Sequence, residues 1–180
     1  RRLVFEEFFI FSAGLEQIRG RRAQLHTEPY ACSMMGNFYD ALPYRPTKAQ
    51  FHAINEILTD FASGVPMNRL LQGDVGSGKT QVAADAAFCA IKNGRQAVIM
   101  APTEILAEQH ADSLSALFEK FGMRTVLLTG SLAAAAKRKA KLEIASGEAQ
   151  LIIGTHALLT EDVVFSNLGL VVADEQHRFG

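Results

Sequence analysis

The chain has 180 residues, of which 48% are hydrophobic and 21% charged. This is the composition of one globular domain, or of a domain with an appendage, and it excludes a disordered or collagen-like chain. Eighteen Lys and Arg stand against nineteen Asp and Glu, a formal net charge of −1, so overall charge does not announce a nucleic-acid or anionic-membrane partner and leaves room only for a local basic face.

Residues from Arg1 to about Leu25 are predicted to form a helix, because Leu3, Val4, Phe8, Phe11, Leu15 and Ile18 recur at three- to four-residue spacing. Arg19, Arg21 and Arg22 fall in its last turn, where cations complement the helix dipole. The run Phe8-Phe9-Ile10-Phe11 is short, follows Glu6-Glu7 and lacks a small-residue cleavage pattern, so it is not read as a signal peptide. Nowhere does the chain hold the ~18 consecutive apolar residues of a membrane span, and no membrane partner is expected. From His26 to Asn37, Pro29, Gly36 and small residues break the pattern, and the segment reads as a linker. The domain reading is therefore a helical linker over 1–40 and a folded lobe over 41–180. Cys32 and Cys89 belong to no C-x-x-C pair, which argues against a zinc site or a disulfide framework; they read as small buried hydrophobes in a reducing compartment.

After Asp40 the pattern changes. Thr47 is placed to cap a helix running to about Ser63, with Phe51, Ile54, Ile57, Leu58 and Phe61 on one face. Apolar strand-like runs follow at Arg69–Gln72, Ala97–Ala101, Thr125–Leu128, Leu151–Ile153 and Leu168–Ala173. Between them lie helical patterns at Thr80–Asn93, Glu104–Phe121 and Ala133–Ser146, with Gly94 and Gly122 as C-terminal stops. Near-continuously apolar strands alternating with helices predict an α/β fold whose parallel sheet is covered by helices on both faces. The chain opens at Arg1 and closes just past a strand, which reads as a piece of a longer protein.

Gly73-Asp74-Val75-Gly76-Ser77-Gly78-Lys79-Thr80 fits G-x-x-x-x-G-K-[ST] at every fixed position, after an apolar run and at the start of a helix. Glycines allow successive backbone amides to turn into one concavity that binds phosphate oxygens, and the helix beginning there adds its positive end. Lys79 is the candidate for charge on the β- and γ-phosphates, and the Thr80 hydroxyl for Mg²⁺. The run Leu168–Ala173 ends in Asp174-Glu175, at the carboxyl end of a parallel strand, where such sheets bind ligands. Asp174 is the second candidate Mg²⁺ ligand, and Glu175 is placed to polarise an attacking water. No Asn-Lys-x-Asp guanine reader and no Leu-Ser-Gly-Gly-Gln transporter signature occurs.

Asp174-Glu175-Gln176-His177 resembles the DExH-type second motif of superfamily 2 helicases. Together with Gly73–Thr80 it resembles, more narrowly, the RecG family of bacterial ATP-dependent DNA helicases, which act on stalled forks and branched DNA. Ala101–His110, Leu128-Thr129-Gly130-Ser131 and Gly154-Thr155-His156-Ala157-Leu158 are similar to that family's DNA-side motifs. The resemblance implies a RecA-like ATP-binding lobe, with Gln50 reading the adenine edge and Tyr44 stacking on the ring. It also implies that Gln176 and His177 couple the nucleotide to a partner lobe. Expected partners are branched DNA, a second RecA-like lobe and an upstream wedge domain, in the cytoplasm of a bacterium. Thr103, Thr129, Gly130, Ser131, Thr155 and His156 are the candidate DNA-contacting residues; groups at strand ends and helix starts can donate to backbone phosphates without reading bases. Lys137, Arg138, Lys139 and Lys141 read as a solvated basic face, and His110 as a surface or packing residue. Two other readings are compatible with the sequence: another superfamily 2 translocase, such as the transcription-repair coupling factor, and a non-catalytic docking fragment with a vestigial loop.

Overall fold

The structure, a computed structural model, describes residues 26–32, 35–42 and 45–174. The helix expected over Arg1–Leu25 lies outside the described residues. The first described helix, α1 (Met35–Ala41), is followed by α2 (Lys48–Ser63), α3 (Lys79–Lys92) and β1 (Gln96–Met100). Then come α4 (Glu104–Glu119), β2 (Thr125–Leu128), α5 (Ala134–Ser146), β3 (Leu151–Gly154), a 3-10 turn (His156–Leu159) and β4 (Leu168–Ala173).

The four strands pair in the order β2-β3-β1-β4, all parallel. Ile99 lies opposite Ile153 of β3 and Val172 of β4, so β1 and β3 form the centre and are buried along their whole length. One face of the sheet, with Ala97, Ile99, Leu151 and Ile153, packs against α1 to α4. The other, with Val98, Met100, Val126 and Ile152, packs against Ala140 and Ile144 of α5 and against Leu158 and Val163. Helices thus cover both faces, as the alternation of patterns requires. Ala84 to Ile91 of α3 are buried in an unbroken run, because this helix lies between the sheet and the helices α1 and α2; a helix apolar all round is an interior helix.

Local signals account for the helix ends. Thr47 and Gln50 close a reciprocal capping box on α2: the Gln50 amide donates to Thr47 Oγ1 at 3.3 Å, and the Thr47 amide donates to Gln50 Oε1 at 2.8 Å. Thr103 caps α4 by accepting from the Leu106 amide at 3.3 Å.

Three expectations are corrected. Arg69–Gln72 is no strand of this sheet: Leu70 is 71% exposed, and Arg69 is bound instead to Glu56 and Asp60 of α2. A strand needs a ladder partner, and among the described residues no backbone bond joins 69–72 to edge strand β4. The linker reading of His26–Asn37 also gives way, because α1 begins inside it at Met35, and Phe38 is fully buried, stacked on Phe88 at 4.3 Å between centroids. Finally, Cys32 and Cys89 form a disulfide. The stretch 27–32 runs along the lobe rather than away from it. The Tyr30 amide donates to the Phe61 carbonyl at 3.0 Å, the Tyr30 hydroxyl donates to the Gly169 carbonyl at 3.1 Å, and Asn93 holds Ala31 through both amide atoms. These contacts carry Cys32 to the last turn of α3, where Cys89 lies.

Candidate nucleotide-binding site

The glycine loop leads directly into α3. Gly78, the N-cap of α3, has φ +79°, and Gly76 has φ +77°, left-handed backbone that side chains other than glycine rarely adopt. Gly78 is also confined by a neighbour: a Cβ there would lie 2.1 Å from Gln50 Nε2. The Ser77 amide donates to the Asp74 carbonyl at 3.1 Å and closes the turn. The Lys79 ammonium folds back over it, donating to the carbonyls of Gly73 and Asp74 at 2.8 Å each. Gln50 Nε2 donates to the Ser77 carbonyl at 2.8 Å. Its side chain therefore joins the cap of α2 to the loop, a bracing contact that sequence reasoning did not foresee.

On the other side of α3's first turn, a groove of about 560 Å³ opens toward α4. Thr80 and Gln81 line one wall; Gln109 and His110 line the other. Asp174 reaches the same region from the end of β4. Its amide donates to the Met100 carbonyl at 2.8 Å, which extends the parallel ladder by one residue. Its carboxylate Oδ2 lies 3.0 Å from His110 Nε2, with the His110 side chain only 12% exposed. His110 is thus a packing residue rather than a surface one: it contacts Asp174 and lines the same groove as Thr80. Glu175, Gln176, His177 and Tyr44 lie outside the described residues.

Deeper in α3, Asp85 is fully buried. One carboxylate oxygen accepts from Gln81 Nε2 at 3.4 Å; the other has no partner. Burial pushes its carboxyl up to about 7, with the Gln81 hydrogen bond opposing the rise, and the Tyr39 hydroxyl is pushed up to about 12 by burial and by the nearby Asp85 charge.

The candidate DNA-side residues gather at the carboxyl ends of β1, β2 and β3, but not all present their side chains. Thr103, Gly130, Ser131 and His156 are exposed. Thr129 and Thr155 are buried, and the Thr155 hydroxyl has no partner. At both strand ends the threonine is covered, with the Thr129 hydroxyl 3.3 Å from the hydroxyl of the exposed Ser131. The Ser131 amide donates to Glu104 Oε1 at 2.7 Å, and the Ser131 side chain first, then this amide, hold the Glu104 carboxyl below the usual carboxylate range. On α5 the basic face is largely engaged locally, Lys137 with the Gly130 carbonyl, Lys139 with Glu143 and Lys141 with Asp162.

Residues 47–180 match the sequence profile described as DEAD/DEAH box helicase. The chain belongs to this family. Along its entire length it is also similar to proteins named ATP-dependent DNA helicase RecG: 47% identical to that of Synechocystis, 46% to that of Bacillus subtilis and 49% to that of Streptococcus pneumoniae. The chain spans 22%, 27% and 27% of those proteins, about a quarter of their length. Among solved structures, RecG bound to a three-way DNA junction superimposes with a TM-score of 0.87 at 43% identity, over 98% of this chain and 24% of that one. The UvsW helicase of bacteriophage T4, at 21% identity and TM-score 0.60, shares the fold over 85% of this chain and 53% of its own. The helicase lobe is thus a RecA-like α/β layer with a parallel sheet. No helix among its described residues is long and apolar enough to cross a membrane.

The residues present fit a magnesium nucleotide. Gly76 and Gly78 hold the loop in left-handed backbone, and an ammonium already sits over the loop carbonyls. The metal candidates are hard oxygen donors, a hydroxyl and a carboxylate. Among the described residues no cluster of three His, Cys, Asp or Glu forms a dedicated metal cage; Mg²⁺ commonly binds one or two protein oxygens together with phosphates and water.

Proposed function

We propose that this chain is the first, ATP-binding motor lobe of a RecG-type DNA helicase that hydrolyses ATP to move on branched DNA in recombination and repair. The sequence boundary of the lobe at residue 41 moves upstream to take in the docked stretch 27–32 and α1, and the residues before that are the connection to an upstream wedge domain. The observation that carries this reading is the glycine loop at the head of α3, with the Lys79 ammonium folded over its carbonyls, beside a groove that Thr80 shares with His110, the partner of the Asp174 carboxylate.

In this reading the amides of Gly76, Ser77, Gly78 and Lys79 cradle the phosphates, and the Lys79 ammonium exchanges the two loop carbonyls for phosphate oxygens. Thr80 and Asp174 hold Mg²⁺, which, when bound, screens the phosphate charge. Gln50 and Tyr44 receive the adenine. Glu175 accepts a proton from the attacking water. A second lobe supplies the cation that stabilises transition-state charge, so the lobe alone turns over very slowly; Gln176 and His177 report the nucleotide state to that lobe. Thr103, Ser131 and the amides around Gly130 face the DNA backbone. The cytoplasm of a bacterial cell is the setting for this activity.

Steady-state ATP hydrolysis by the full-length helicase, with and without branched DNA, tests the assignment. Lys79→Ala is expected to lower turnover by roughly 10²-fold or more, the range for losing one preorganised electrostatic contact to the reacting group. DNA-stimulated turnover at the parent rate in that variant would contradict it.

A further inference from the structure

We infer that His110 is the positioning residue of Asp174: it fixes the carboxylate rotamer so that the other oxygen is presented to Mg²⁺. The inference rests on the nucleotide-site reading above and deepens it.

β1 and β4 are hydrogen-bonded neighbours, with Met100 opposite Ala173. The chain leaves β1 through Thr103 into α4, and it leaves β4 through Asp174. His110 and Asp174 are therefore carried by adjacent strands of one rigid ladder, although 64 positions separate them. The Asp174 backbone is fixed by the Met100 carbonyl, but a carboxylate on two rotatable bonds is not fixed by its backbone. Among the described residues its one side-chain hydrogen bond is to His110 Nε2, at 3.0 Å on Oδ2. Oδ1 is left for another ligand. His110 lines the same groove as Thr80, so the residue that holds the carboxylate borders the cavity onto which the hydroxyl-bearing turn of α3 opens.

An exposed ion pair contributes little, because water competes for both partners. Here the imidazole is almost wholly covered, and Asp174 is about one-third exposed, so water competes less for this pair than for an open one. Partners that orient a metal-ligating side chain in this way commonly matter by 10- to 100-fold in metal affinity or activity.

The test is a Mg²⁺ titration of fluorescent-ADP binding to the full-length helicase, run in parallel for the parent, His110→Ala, His110→Gln and Lys79→Ala. His110→Ala is expected to raise the half-saturating Mg²⁺ concentration about 10-fold, with the affinity measured without Mg²⁺ unchanged. His110→Gln is expected to recover most of the loss, because its amide nitrogen reaches the position of the imidazole Nε2. A His110→Ala titration superimposed on the parent's, while Lys79→Ala still weakens binding, would overturn the inference alone. An equal loss with and without Mg²⁺ would also overturn it, by showing a merely structural role. A parent protein that binds the analogue regardless of Mg²⁺ would overturn the site reading and this inference together.

Discussion

Asp85→Leu is expected to stabilise the protein above neutral pH and to leave it nearly unchanged near pH 4. Asp85 is fully buried on α3, with one oxygen weakly held by Gln81 and the other unpartnered. Its neutral form suits that environment and its charged form does not, so its carboxyl rises from 3.8 to about 7. The folded protein therefore holds this proton more tightly than the unfolded chain. Stability from this group is complete below about pH 4, falls as pH rises, and is lost by the time pH has passed through 7. At about 1.4 kcal/mol per tenfold change in proton affinity, the difference amounts to about 4 kcal/mol between the two limits. Leucine carries no ionisable group, and it removes that dependence. Urea unfolding at pH 5 and pH 8.5 is the check: the parent midpoint should fall over this interval and the variant midpoint should not. Parallel falls in both would mean that Asp85 stays charged in the fold. Gln96 shows what a buried polar side chain looks like when it is satisfied, with Nε2 donating to the Ile144 and Ala149 carbonyls and Oε1 accepting from the Asn167 amide.

Phe38→Ala is expected to cost about 3–5 kcal/mol of folding stability, the range for truncating a buried aromatic side chain. Phe38 has no exposed surface and lies against three other phenylalanine rings: stacked on Phe88, edge-on to Phe118 and tilted against Phe121. Those rings belong to α3, the end of α4 and the turn after it. The cavity would thus open where α1 seals the helical face of the sheet. Chemical denaturation measures it, and a loss below 1 kcal/mol would show that α1 is detachable from the lobe, as a linker would be.

What the sequence disclosed and what it hid divide along a physical line. The runs Thr125–Leu128 and Leu168–Ala173 are strands over the residues predicted, and α2 to α5 begin and end within a few residues of their predicted limits. Each of those signals is local: a continuous apolar run, a Thr cap, a stop glycine. The glycine turn ahead of α3 and the position of an acid just after β4 were legible for the same reason, since both are fixed by chain neighbours. Features that depend on distant partners were not. Arg69–Gln72 has strand composition, but its arginine is claimed by two acids of α2. The seven residues of α1 are too few to display a helical period, and Gly36 lies within them. Cys32 and Cys89 are 57 positions apart, and only the docking of residues 27–32 across the lobe brings them together. The burial of Asp85 belongs here too, because it lies within the run of α3 that is buried without a break from Ala84 to Ile91. The burial of Thr129 and Thr155, and the contact of His110 with Asp174, are likewise set by the sheet and not by spacing.

The central claim is that the loop at Gly73–Thr80 is a formed phosphate site on a competent lobe. Titration calorimetry of Mg-ADP into this chain, beside Lys79→Ala, tests it most directly. The account predicts binding by the parent that the substitution weakens tenfold or more, about 1.4 kcal/mol. Equal binding by the two proteins, or no binding by a parent shown to be folded, would contradict it.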